Sequence, residues 1–107
     1  MPRRERGGSE VVTIYWRDIP AQVIVRKGRQ NAKRELPLRF TEAIDMCAMR
    51  TGAGDTDAYL AEWRKADAIP VGDDLEAEAA KALADIETKY DTARLVALVK
   101  AGGRDNG

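Results

Sequence analysis

The chain has 107 residues, 18 Lys/Arg balanced by 18 Asp/Glu, no histidine and one cysteine. That length predicts one domain with a single modest core. The missing histidine removes the commonest general base and metal ligand, and the lone Cys47 excludes an internal disulfide and a cysteine-based metal cluster.

Residues 1–9 are basic, contain glycine and are poor in apolar side chains, so a mobile tail is expected there. The single cysteine makes a reducing, cytoplasmic setting the expectation, and the sequence shows no apolar h-region and no run of membrane-spanning length. Val11 to Trp16 are all β-branched or aromatic, a strong strand signal. In simple alternation Val12, Ile14 and Trp16 share one face, with Val11, Thr13 and Tyr15 on the other. Arg17-Asp18-Ile19-Pro20 supplies turn chemistry, and Ala21 to Arg26 forms the second strand of an antiparallel hairpin. Gly28 ends it, and the basic stretch Arg29 to Leu36 is open to a short third strand before Pro37.

Pro37 suits the first turn of a helix, and Phe40, Ala43, Ile44, Cys47 and Ala48 then recur at helical spacing. Thr51-Gly52-Ala53-Gly54 stops it, and Asp55 or Thr56 is a credible cap for a helix carrying Tyr59, Leu60 and Trp63. Ile69-Pro70-Val71-Gly72 reads as a connector able to run extended. Asp73 or Asp74 caps the clearest helix, in which Leu75, Ala79, Ala82, Leu83, Ile86 and Tyr90 draw one stripe. Asp91 caps a last helix with Leu95, Val96, Leu98 and Val99, ended by Gly102 and Gly103. The expected fold is therefore α+β: a small antiparallel sheet, a hairpin with room for a third strand, covered by three or four helices. The expected organisation is a tail over 1–9, one domain over 10–101 and a frayed tail over 102–107.

Catalytic candidates are few. Cys47 shares the stripe of Phe40 and Ile44 and reads as a buried thiol. Glu42 and Asp45 stand at i and i+3 on what reads as a solvated face, without the burial that acid–base work needs. Gly52-Ala53-Gly54 lacks the GKS/T context of a phosphate loop. Charge is more informative. Residues 1–50 hold eleven Lys/Arg against six Asp/Glu, and residues 51–107 hold seven against twelve. This asymmetry fits an anionic partner for the first half, mutual attraction of the halves, or two solvated faces.

YWRDIPAQV, followed by a basic run and KRELPLRFTEAID, resembles the bacterial "virulence factor" domain family, and a small stand-alone member is the expectation. The likeness covers roughly residues 11–70, and the helix from Asp73 onward lies outside it. The resemblance brings no catalytic residues. Stand-alone members also resemble small proteins encoded among folate- and corrinoid-linked one-carbon genes, which implies an auxiliary or cofactor-binding subunit as an alternative role.

The leading expectation is a non-catalytic accessory or protein-interaction module. Its contact surface would be Arg17, Arg26, Lys27, Arg29, Lys33, Arg34 and Arg39, held from beneath by Trp16 and Phe40. The expected partner is a protein with an acidic surface. Nucleic acid is the weaker alternative, because the chain is not net basic and its pI is 6.3. No cofactor, metal or membrane contact is expected.

Overall fold

A computed structural model describes residues 8–104. The elements run β1 (Ser9–Trp16), β2 (Ile19–Lys27), β3 (Gln30–Glu35), α1 (Leu38–Arg50), α2 (Thr56–Ala61), β4 (Trp63–Lys65), β5 (Ile69–Val71), α3 (Leu75–Lys89) and α4 (Thr92–Lys100). The class is α+β, with a sheet larger than a hairpin. Its order is β3-β2-β1-β4, and β5 also pairs with β1. All pairings are antiparallel.

β4 and β5 are two pieces of one interrupted strand. Lys65 pairs with Ile14 and Ile69 with Val11, so three residues bulge opposite two of β1. Sequence patterning gives β4 no signal. Trp63-Arg64-Lys65 is short and charged, and the apolar spacing places Trp63 on a helix. The free edge of β1 decides the matter: the Arg17 amide donates to the Glu62 carbonyl at 3.0 Å, and the Ala66 amide to Thr13 at 2.9 Å. The short α2 begins on Asp55, whose side chain accepts the Ala58 amide, and leaves Leu60 exposed.

The register of β1 on β2 slips between Ile14 and Tyr15, leaving Ala21 as an extra residue on β2. This bulge separates two core clusters. Val11, Val23, Val25 and Ala32 pack with Ala79 of α3. Trp16, Ile19, Leu36 and Phe40 pack with Ile44 and Cys47 of α1 and with Leu95, Leu98 and Val99 of α4. Leu83 and Ile86 of α3 touch both and tie them together. Trp16 is fully buried, and its Nε1 donates to the Tyr59 carbonyl at 2.9 Å. Truncating such a side chain to alanine costs about 3–5 kcal/mol.

α3 and α4 start as their capping residues dictate. Asp74 accepts the Ala77 amide, and Asp91 accepts the Arg94 amide. α1 has no side-chain cap and starts immediately after Pro37.

Both termini depart from the tail expectation where they are described. Ser9 already belongs to β1 and is buried, while residues 1–7 lie outside the described residues. At the other end the expected fraying does not begin at 102. The Gly102 amide donates to Val99 and the Gly103 amide to Leu98, with φ of 74° and 80° at the two glycines. That is a Schellman ending of α4. The Gly103 carbonyl then accepts the Asp18 amide at 2.8 Å, pinning the helix exit to the β1–β2 turn. Residues 105–107 lie outside the described part.

Candidate interaction surface

The structure does not gather the seven basic residues into one surface. Arg17 is a structural node. It sits in the hairpin turn at φ 54°, donates to the Gly102 carbonyl at 2.8 Å, and lies 3.6 Å from the Glu62 carboxylate. Its guanidinium covers the Trp16 ring at 4.9 Å. Arg39 lies over Phe40 and reaches toward the carbonyls of Glu87 and Tyr90, at the end of α3. Arg17 and Arg39 therefore stand at opposite ends of α4.

The other five cluster around β2 and β3 but split between two faces. Lys27 and Arg34 point to the face covered by α3, where they meet Asp73 and Glu76 at its acidic start. Arg26 and Lys33 point away from α3, and Arg26 pairs with Glu10 on the neighbouring strand at 2.7 Å. Lys33 and Arg29 make no ion pair with another described residue. The opposite charge of the two halves thus appears, at Lys27–Asp73, Arg34–Glu76 and Arg17–Glu62, as attraction between them.

A different feature emerges on α1. Its buried stripe is the expected one, Phe40, Ala43, Ile44, Cys47 and Ala48. Three further apolar residues remain outside: Leu38, Met46 and Met49, the last two 55% and 77% exposed. α1 and α4 run parallel. The Arg39 end of α1 lies by Tyr90, and a Cβ on Gly102 would stand 3.6 Å from Thr51. Between them lies a groove of about 310 Å³. From α1 it takes Arg39, Glu42, Ala43, Met46 and Arg50, at i, i+3, i+4, i+7 and i+11. From α4 it takes Thr92, Leu95, Val96, Val99 and Lys100. The floor is aliphatic, Met46 and Val96 form the walls, and the rim carries three cations and one carboxylate. Arg50 and Lys100 also close the last turns of their helices, where positive charge suits the helix dipole.

Of these groove residues only Arg39 belongs to the contact surface expected from sequence. The available signal is Met46, an apolar residue off the otherwise regular stripe. A shallower depression of about 400 Å³ lies on the other side of α1, lined by Asp45, Met49, Tyr59 and Leu60 among others.

Cys47 is fully buried, and burial raises its thiol pKa against the opposing influence of Arg17, Arg50 and Arg104. Despite those three cations it therefore lacks the exposure that a reactive thiolate needs. Glu42 and Asp45 are both exposed. Among the described residues no three Cys, Asp or Glu side chains converge in a way that could hold a metal, and no helix is long and apolar enough to cross a membrane.

No curated protein and no solved structure gives a match. The family described as Virulence factor matches residues 14–99. The match runs through α3 and into α4, well beyond the resemblance over residues 11–70, so the acidic helix is part of the family domain. With the end of β1, all of β2 through α3 and nearly all of α4 inside the matched stretch, the chain belongs to the virulence factor family.

Proposed function

We propose that this protein is a non-catalytic accessory module that acts by binding another protein, in a reducing, cytoplasmic setting. The observation that carries the proposal is the α1–α4 groove: an aliphatic trough with Met46 and Val96 held open to solvent at its walls. A small domain has every energetic reason to cover such side chains itself, and unbranched methionine adapts to a partner's surface. The basic connector is the weaker surface, because three of its cations are committed to ion pairs, Arg17 is tied down against the core, and Arg39 stands apart at the rim of the groove itself. The single buried thiol fits the reducing compartment.

The test is affinity purification of the tagged native protein with chemical cross-linking and mass spectrometry. Met46→Asp/Val96→Asp should lose the specific partner, and Arg29→Glu/Lys33→Glu should retain it. The reverse pattern would return the contact surface to the connector. An identical recovered set for all three proteins would refute an interaction module.

A further inference from the structure

Resting on that reading, we infer that the α1–α4 groove receives an acidic amphipathic helix from a partner protein. Shape gives the first reason. Two parallel helices leave an open seam, and a third helix laid along it completes a layer of ordinary helix packing. The groove follows α1 from Arg39 to Arg50, which at 1.5 Å per residue is about 16 Å, room for roughly three turns. Such a segment presents apolar anchors at i, i+3 or i+4, and i+7. Ala43, Met46, Leu95, Val96 and Val99 form a continuous apolar bed for them.

Charge gives the second reason. Arg39, Arg50 and Lys100 stand on the rim against a single carboxylate, Glu42. Arg50 and Lys100 lie together where both helices end, and Arg39 stands at the other end of the seam. A helix with carboxylates flanking its anchors meets cations at both ends, while a basic helix meets repulsion at both. The same argument disfavours a neutral ligand, which gains nothing from the separated cations.

The experiment uses the full chain and two synthetic helical peptides of about four turns with leucines at i, i+4 and i+7. One carries glutamates beside the leucines, and its twin carries lysines. Backbone amide NMR titration should place the shifts from the acidic peptide on α1 and α4, around Met46, Arg50, Val96 and Lys100. The lysine twin should bind at least about tenfold more weakly, and Arg50→Glu/Lys100→Glu should reverse the preference. Arg50→Gln/Lys100→Gln, which spares the helix ends a like-charge penalty, should equalise the two peptides.

Equal binding of the twins to wild type, shifts elsewhere on the molecule, or no shift with either peptide would each overturn the assignment. So would a dimer in light scattering that Met46→Asp/Val96→Asp abolishes, since the groove would then belong to a second copy. If cross-linking still shows a partner lost with the groove variant while the twins bind alike, the interaction module stands and only its acidic-helix occupant fails.

Discussion

Gly103→Ala should destabilise the fold more than Gly102→Ala, although the two glycines are neighbours with nearly the same backbone conformation. Both have φ in the left-handed region, 74° and 80°, which costs an alanine about 1–2 kcal/mol. Their surroundings differ. A Cβ on Gly102 would meet only the Thr51 methyl, at an ordinary 3.6 Å. A Cβ on Gly103 would stand 3.0 Å from Cys47 Sγ and 3.1 and 3.3 Å from Arg17 Cδ and Cβ. Cys47 is fully buried and cannot swing away, and Arg17 is held by the Gly102 carbonyl and Glu62. Overpacking of this kind adds about 1–3 kcal/mol. The expected losses are therefore about 1–2 kcal/mol for Gly102→Ala and about 2–5 kcal/mol for Gly103→Ala, with each kcal/mol lowering the midpoint of a domain this size by about 4–8 °C. Urea and thermal melts followed by circular dichroism measure both. In a Cys47→Ala background the excess cost of Gly103→Ala should shrink, a coupling that a double-mutant cycle isolates. Equal losses for the two glycines would refute the tight contact. No loss for either would mean that the chain after α4 is not docked at all.

Arg34→Gln should cost less than about 1 kcal/mol, with the difference vanishing at high salt, because Arg34 and Glu76 are exposed partners; a melt series in sodium chloride checks this. Trp16→Phe should cost about 2–3 kcal/mol in chemical denaturation, from the lost hydrogen bond to Tyr59 and the volume left behind. Burial raises the Cys47 thiol above its ordinary 9.0 and the Tyr15 and Tyr59 phenols above 10.0. Each group thus holds its proton longer in the folded than in the unfolded chain, so the stabilisation is complete below those ordinary values and is lost as pH rises from them through the raised folded-state values. Stability should fall from about pH 9 upward, first through Cys47, and Cys47→Ala should flatten the first part of that fall in melts from pH 7 to 11.

The elements that local patterning identifies are those whose own side chains suffice to specify them. β1 and β2 are runs of branched residues, and α3 and α4 carry a helical stripe behind an aspartate cap, so the α+β class follows without any partner. The Phe40–Ala48 stripe likewise buries where its period says it must. Cys47 reads correctly as a core thiol for the same reason. β4 does not follow in this way. Trp63 to Lys65 becomes a strand because an unpaired edge of β1 waits beside it, and that edge is a property of the assembled sheet.

The binding surface divides along the same line. Sequence alone places seven basic residues close together along the chain, and proximity along the chain is all it can measure. Tertiary structure decides which of them are spent. A strand alternates faces, which sends Lys27 and Arg34 to α3 and Arg26 to Glu10. A turn residue sinks against Trp16, as Arg17 does. The groove arises from two helices separated by some forty residues, and Met46 and Val96 become its walls only because α1 and α4 pack in parallel. The sequence by itself determines the fold class, the caps and the core, since these depend on local period and burial. Only the tertiary structure decides which charges remain available and where an apolar trough opens, because both depend on what long-range packing leaves uncovered.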